Sequence, residues 1–212
     1  MKIVAIDAGR NYSSALNRTL MAVAESAEAA GAQVGFLRLA DYHIRDCVNC
    51  KLCVLGEGCK VDDDLATVLE ALSWADGVII GVPQYGSGRN RRGQNKTFEA
   101  LLTRLRTYFE EETRNQPRLP GLESTETYLS KIARDTKRAI IVTGAGSEGG
   151  VGAYFNVRSG GQVRSLRHVL AACNINAVGS LSVDRNQRAD EGLTHDQWDK
   201  ANSLGRLIAG KI

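Results

Sequence analysis

The stretch Gly77-Val78-Ile79-Ile80-Gly81-Val82 decides the fold of this chain. Its middle is wholly apolar, which is typical of a strand buried on both faces, and such strands lie at the centre of parallel sheets. Pro83 and a polar, glycine-rich loop follow it directly. We therefore expect a parallel sheet with residues 77–82 as its central strand and a loop at the carboxyl end of that strand.

Shorter apolar or alternating runs on either side of this stretch predict four further strands. They are Ile3–Ile6, Val34–Leu39, Arg138–Thr143 and Asn176–Val183. Helical patterns separate the strands, and five strands that alternate with helices form one parallel sheet with helices on both faces. The strand count suits the flavodoxin-like order 2-1-3-4-5. The whole chain, residues 1–212, is thus expected to be a single α/β domain.

Two segments interrupt the regular alternation of strands and helices. Residues from about 41 to 61 form a cysteine-rich loop, after which Asp62 or Asp63 is expected to cap the next helix, because a carboxylate accepts hydrogen bonds from free N–H groups. Residues 114–137 show little periodicity. We interpret them as an insertion with one short helix near 124–134.

Composition and charge exclude several classes of protein. Of the 212 residues, 43% are hydrophobic and 24% are charged, which is a globular composition. The net charge of +3 is too small for a protein that coats nucleic acid. No apolar run is long enough to predict a membrane span. Residues 1–7 resemble a strand more than a signal peptide, so we expect a cytoplasmic protein.

The first predicted strand runs into the loop Asp7-Ala8-Gly9-Arg10-Asn11-Tyr12-Ser13-Ser14, and a helix follows. Hydroxyl groups, a glycine and a helix N-terminus together favour a phosphate, because free N–H groups and the helix dipole attract negative charge. Arg10 would add a charge-assisted hydrogen bond. The alternative is an ordinary helix start capped by Ser13 or Ser14. The loop lacks the motifs of dinucleotide-binding folds and of nucleoside triphosphatases.

Four of the five cysteines lie within thirteen positions, in the spacing C-x2-C-x2-C-x5-C. They are Cys47, Cys50, Cys53 and Cys59. This spacing resembles the run that holds a [4Fe–4S] cluster in bacterial ferredoxins, whereas zinc sites more often use two C-x2-C pairs farther apart. Three interpretations stay open: an iron–sulfur cluster, which the spacing favours, metal-free thiols, and zinc. The fifth, Cys173, lies on the apolar face of a helix and is expected to be buried.

Two further motifs follow the third and fourth predicted strands, Pro83-Gln84-Tyr85-Gly86-Ser87 and Thr143-Gly144-Ala145-Gly146. Together with the serine-bearing loop and the cysteine run, they resemble the NADPH-dependent FMN reductase family of flavodoxin-like flavoproteins. The cysteine run resembles that of the iron-sulfur flavoproteins within this family. The resemblance covers residues 1 to about 105 and the chain from about 138 onward. The chain departs from the family pattern at Ala8-Gly9, where a serine and a proline are usual.

The resemblance implies FMN and one [4Fe–4S] cluster as cofactors, with NAD(P)H as a candidate electron donor. The residues implied to hold the FMN phosphate are Arg10, Ser13 and Ser14. Those implied to border the isoalloxazine ring are Pro83, Gln84, Tyr85 and Gly86 on one side and Thr143, Gly144 and Ala145 on the other. Those implied to ligate iron are Cys47, Cys50, Cys53 and Cys59. No catalytic acid–base residue is expected, because the cofactor carries the chemistry.

The leading hypothesis is an iron-sulfur flavoprotein that passes electrons between its cluster, FMN and a small acceptor, such as a quinone, dioxygen or hydrogen peroxide, or a redox protein. A ferredoxin-type electron donor and a homodimer or homotetramer are expected, but neither nucleic acid nor a membrane. Two alternatives stay open: a cluster-free NAD(P)H-dependent FMN or quinone reductase, and a zinc-binding module without enzymatic activity. Arg89, Arg91 and Arg92 form either a solvated basic loop or a site for an acidic partner or for the NADPH 2′-phosphate.

Overall fold

A computed structural model describes the predicted sheet and several of the helices that cover it. The described residues are 1–9, 14–53, 59–83, 96–112, 132, 136–144, 166–183 and 192–210. Within 96–112, side chains are described up to residue 107. All five predicted strands and the four cysteines of the C-x2-C-x2-C-x5-C run lie within them.

Five strands form one parallel sheet in the order β2-β1-β3-β4-β5. They are Lys2–Asp7 (β1), Gln33–Arg38 (β2), Gly77–Val82 (β3), Lys137–Thr143 (β4) and Ile175–Ser182 (β5). This is the predicted flavodoxin-like order, which is therefore confirmed. Every residue of β3 is buried, as its central place between β1 and β4 requires. The strand bounds differ from the predicted ones by a residue or so; for example, Leu39 begins a short 3-10 helix, Leu39–Asp41, and does not end β2.

Five α-helices of more than one residue lie among the described residues. They are Ala15–Ala29 (α1), Leu65–Trp74 (α2), Lys96–Glu112 (α3), residues 166–172 (α4) and His195–Ile208 (α5). None of these helices has both the length and the apolar character that crossing a bilayer requires.

The helices cover both faces of the sheet, as predicted. One core lies between the sheet and α2, α3 and α4, and the other lies between the sheet and α1 and α5. The alternation of β3 shows why an apolar run is needed there: Val78 and Ile80 enter the first core while Ile79 enters the second. On the second face, a Cβ at Gly81 would lie 3.2 Å from Leu20, so the glycine lets α1 pack closely on β3.

Outside the sheet, the start of α2 differs from the prediction. The N-cap of α2 is Asp64, so the prediction of Asp62 or Asp63 is wrong by one or two positions. Asp63 still contributes to the start of this helix, because its Oδ1 accepts a hydrogen bond from the N–H of Leu65 at 3.2 Å.

Of the predicted insertion 114–137, Ile132 is helical and fully buried, and residue 137 already belongs to β4. The rest of the expected helix near 124–134 lies outside the described residues.

Candidate cofactor site

The carboxyl ends of four strands meet at one edge of the sheet. Backbone hydrogen bonds continue past the strands there: the N–H of Ala8 donates to the carbonyl of Gly81, and that of Gly144 donates to Val82, both at 2.9 Å. The N–H of Val183 donates to Thr143 at 2.8 Å. The segments that follow β1, β3 and β4 therefore leave the sheet side by side, at the place where doubly wound folds bind ligands.

Asp7 shapes the loop that follows β1. Its side chain is fully buried, and its Oδ1 accepts a hydrogen bond from the N–H of Gly9 at 2.6 Å, while Oδ2 accepts one from Nδ2 of Asn17 at 2.8 Å. A Cβ on Gly9 would lie 2.8 Å from Oδ1, so the turn needs a glycine at this position. The carboxylate thus ties the end of β1 to the first turn of α1.

Ser14 is the N-cap of α1. Its Oγ accepts a hydrogen bond from the N–H of Asn17 at 3.1 Å. This confirms the capping role considered from the sequence. The cap does not exhaust the hydroxyl group, which keeps its O–H as a donor for an anion. The predicted role of Ser14 in holding a phosphate stays a prediction.

Three of the predicted segments meet around Gly144. A Cβ at Gly144 would lie 3.5 Å from Cβ of Leu16 and 3.6 Å from Cα of Pro83. The start of α1, the end of β3 and the end of β4 are therefore in contact range around one glycine. Thr143 beside it is buried, and its hydroxyl shares a 2.9 Å hydrogen bond with the hydroxyl of Ser182 on β5. The described members of the predicted FMN site, Ser14, Pro83, Thr143 and Gly144, thus lie on the same edge of the sheet.

The other predicted FMN-binding residues cannot be placed in this way. Those outside the described residues are Arg10, Ser13, Gln84, Tyr85, Gly86 and Ala145. The loop that carries Arg89, Arg91 and Arg92 lies outside them as well. The roles expected of these residues in binding FMN or a partner therefore stay predictions.

The cysteine segment, which we define as residues 45–63, contains backbone that turns back on itself. Asn49 and Lys51 have φ angles of 52° and 62°, in the left-handed region that residues other than glycine seldom occupy. The N–H of Asn49 donates to Sγ of Cys47 at 3.4 Å. Cys50 is exposed, and the other three cysteines of the run are half-buried. Asn49 lies between Cys47 and Cys50, and Lys51 lies between Cys50 and Cys53, so the chain changes direction between successive cysteines.

The four cysteines are not gathered into a ligand set by this conformation. In the part of the chain that the structure describes, no three side chains of His, Cys, Asp or Glu come close enough together to hold a metal ion. The predicted ligation by Cys47, Cys50, Cys53 and Cys59 is therefore neither confirmed nor contradicted by the fold.

A buried arginine beside this segment was not predicted from the sequence. Arg104 on α3 donates from Nη2 to Sγ of Cys59 at 2.9 Å and forms an ion pair through Nη1 with Asp63. Arg104 is only 6% exposed, and the side chain of Asp63 is fully buried. The one signal in the sequence is a cation among the apolar residues of a helix, next to Leu101 and Leu105. Such a cation is usually solvated, so the pattern alone does not single it out.

Cys173 has the role expected of a buried apolar residue. It is fully buried in the core between the sheet and α4. Burial raises the pKa of its thiol to about 12, because the thiolate would lose its hydration. It is thus set apart from the four cysteines of the run, all of which are at least partly accessible.

The fold and the edge where its loops converge define a flavodoxin-like protein with a candidate flavin site. A family model for the NADPH-dependent FMN reductases matches residues 1–188, and the chain belongs to this family. The family predicted from the sequence is therefore confirmed. The description of this family supports the predicted class of enzyme, an FMN-dependent oxidoreductase, and FMN as the cofactor.

Similar curated proteins carry the name iron-sulfur flavoprotein. One from Archaeoglobus fulgidus is 35% identical over 108 residues, which cover 51% of this chain and 53% of that protein. Another from Methanocaldococcus jannaschii is 44% identical over 69 residues, or 32% of this chain and 34% of that protein. The chain therefore spans about half the length, or less, of the curated relatives that it matches.

Solved structures with a similar fold include an NAD(P)H:quinone oxidoreductase from Methanothermobacter marburgensis. Its TM-score is 0.62 at 15% identity, over 97% of this chain and 98% of that one. A flavodoxin from Bacillus cereus superposes with a TM-score of 0.53 at 12% identity, over 100% of this chain and 99% of that one. At these identities the likeness extends to the fold alone.

The described residues fit an FMN phosphate and the chemistry of a thiolate-bound cluster. The start of α1 supplies a serine hydroxyl and free N–H groups beside the ends of β1 and β4. In the cysteine segment, two sulfurs accept N–H hydrogen bonds, from Asn49 and Arg104, which is how proteins stabilise ligating thiolates. Nε of Arg104 is buried and has no hydrogen-bond partner, so this side chain has one donor left over.

Proposed function

We propose that this chain is an FMN oxidoreductase that also holds a [4Fe–4S] cluster and passes electrons to a small acceptor, such as a quinone, dioxygen or hydrogen peroxide, or to a redox protein. The observation that carries the proposal is the four-cysteine run within a chain of the FMN reductase family. The curated relatives named iron-sulfur flavoproteins support it.

The FMN part rests on the edge of the sheet described above. Ser14 and the first N–H groups of α1 would bind the phosphate, with Arg10 and Ser13 from the same loop. Pro83 and Gly144, which lie close together, would border the ring with Gln84, Tyr85, Gly86, Thr143 and Ala145. Glycine at such a position leaves room for a planar ring to approach the backbone.

The cluster part rests on the donor set. Cys47, Cys50, Cys53 and Cys59 would be its ligands, and the hydrogen bonds to Cys47 and Cys59 suit sulfurs that carry negative charge. When bound, FMN supplies hydride and single-electron chemistry, and the cluster supplies single-electron chemistry. A ferredoxin-type protein is the proposed donor, with NAD(P)H as the alternative, in a homodimer or homotetramer.

The test is anaerobic reconstitution of the chain with iron, sulfide and FMN, followed by metal and sulfide analysis and a visible spectrum. We expect about four irons and four sulfides per chain and absorbance beyond that of the flavin. Cys50→Ser should lose most of this iron, while Cys173→Ala, which removes a thiol outside the run, should keep it. Less than one iron per wild-type chain would contradict the cluster and leave the FMN part intact.

A second candidate function is a cluster-free NAD(P)H-dependent FMN or quinone reductase. It is favoured by one observation: the family model that matches residues 1–188 is that of the NADPH-dependent FMN reductases. In that case NADPH would bleach the bound flavin rapidly under anaerobic conditions, and Cys50→Ser would bleach at the same rate. Slow bleaching by NADPH together with rapid bleaching by a reduced ferredoxin would favour the first proposal.

A further inference from the structure

Arg104 joins α3 to both ends of the cysteine segment. Its Nη2 donates to Sγ of Cys59 at 2.9 Å, its Nη1 pairs with the carboxylate of Asp63, and Nη1 also donates to the carbonyl of Arg45 at 3.4 Å. One side chain thus contacts the residue two positions before the first cysteine, the last cysteine, and a residue four positions after it.

The ion pair is built into the segment by further hydrogen bonds. Oδ2 of Asp63 accepts the N–H of Arg45 at 2.9 Å, and Oδ1 accepts that of Leu65 at the start of α2. Packing does not require these charges, since apolar side chains of similar volume often replace a buried ion pair without loss of stability. A pair of apolar residues could supply neither these backbone hydrogen bonds nor the hydrogen bond to the sulfur, and only the latter acts on a cysteine of the run.

The geometry also explains why the cation is an arginine. A guanidinium group is a planar fork with several N–H donors, so one nitrogen can face a carboxylate while another faces a sulfur. A lysine has a single ammonium nitrogen at the end of a flexible chain. It could stay paired with Asp63, but it would not reproduce two donors at fixed separation.

We propose that Arg104 is the positioning residue of Cys59, and that its N–H group makes a cluster bound there easier to reduce; this inference rests on the proposed cluster. The hydrogen bond holds Sγ of Cys59 in place against α3. A donor to a ligating sulfur stabilises the additional negative charge of the reduced cluster, which raises its reduction potential. Asp63 neutralises the guanidinium, so the effect comes from the hydrogen bond and not from an isolated charge.

The first experiment uses the reconstituted chain and measures the reduction potential of the cluster by a redox titration followed by electron paramagnetic resonance. Arg104→Lys should keep its iron and shift the potential to a more negative value than that of the wild type. Arg106→Lys, an exposed position on the same helix, is the matched control and should leave the potential unchanged. An unchanged potential in Arg104→Lys would overturn the inference.

A second experiment separates this inference from the proposed function. Hydrogen exchange of the metal-free chain is measured at the amides of Arg45 and Leu65, which donate to Asp63. Arg104→Met should speed their exchange, because Asp63 loses its ion pair, and Arg104→Lys should speed it less. If the wild type binds no iron, the proposed cluster fails and the effect on potential fails with it. Unchanged exchange in both variants would overturn the positioning role itself.

Discussion

At the scale of single residues, buried polar groups mark the places where this chain differs from a plain α/β core. Asp7 and Arg104 are both almost wholly buried, and each forms hydrogen bonds to neighbouring segments of the chain. Asp7 organises the loop after β1, and Arg104 organises the cysteine segment. Both lie next to a predicted cofactor site, and neither was expected to matter from the sequence.

Replacing Asp7 by alanine should destabilise the chain. The change leaves the buried N–H of Gly9 without its acceptor, which costs about 1–3 kcal/mol. The half-buried Nδ2 of Asn17 loses its acceptor as well. Urea unfolding would show this loss in the free energy of unfolding. Glu28→Ala, at an exposed position of α1, should change the same quantity by less than about 0.5 kcal/mol. Equal effects of the two variants would argue against a structural role for Asp7.

Cys173 should resist alkylation in the folded, metal-free chain. Burial raises its pKa from 9.0 to about 12, so at pH 8 its reactive thiolate fraction is lower by about a thousandfold. Because the folded-state pKa is raised, this group also favours the folded state below about pH 9, and the contribution is lost between about pH 9 and 12. Mass spectrometry after treatment with iodoacetamide should find Cys50 modified and Cys173 modified only in denaturant.

At the scale of secondary-structure elements, the contact between α1 and α5 closes the second face of the sheet. Oγ of Ser26 on α1 donates to the carbonyl of Asn202 on α5 at 2.9 Å. Gly205 lies against the same serine, and a Cβ there would come within 2.5 Å of Cβ of Ser26 and 2.7 Å of the carbonyl oxygen of Val23. The two helices can approach this closely only because Gly205 has no side chain.

Replacing Gly205 by alanine should therefore destabilise the chain, although alanine favours a helix by about 1 kcal/mol. The added methyl group would push α5 away from α1, and overpacking of this kind costs about 1–3 kcal/mol. Thermal unfolding should show a lower midpoint for this variant. Ser203→Ala, at an exposed position of α5, is the control and should not lower it. A midpoint as high as that of the wild type would show that the helices separate at little cost.

At the scale of the whole molecule, the sheet brings together loops that are far apart along the chain. The end of β3 lies 75 residues after that of β1 and 61 residues before that of β4, yet the three ends exchange backbone hydrogen bonds at one edge. The start of α1 lies at the same edge, where its N-terminus can attract a phosphate. A ligand with both a phosphate and a planar ring would thus contact three loops at once.

FMN should stabilise the folded chain more than riboflavin does, since only FMN carries the phosphate. A ligand that binds only the folded state stabilises it by about 2.7 kcal/mol at a hundred times its Kd. The measurement is the shift of the thermal midpoint with each flavin at equal concentration. Equal shifts would mean that the start of α1 does not hold the phosphate.

The sequence by itself determined the architecture. The apolar run of β3 and the alternation of strands with amphipathic helices predicted the parallel sheet and the helices on both faces, because burial on both faces demands apolar residues at every position of a central strand. The order of the strands was predicted from their number, which suits a flavodoxin-like fold. Local spacing also singled out the cysteine run and the loop after β1, because their residues are neighbours along the chain.

Only the tertiary structure decided which distant residues support these motifs. Arg104 is 45 residues from Cys59 and 41 from Asp63, and nothing in the local pattern of α3 says which segment its buried face meets. The contact of Gly144 with Pro83 and Leu16 likewise depends on the order of the strands. The physical reason is that periodicity reports which face of an element is buried, whereas the identity of the partner depends on how the whole sheet brings its layers together.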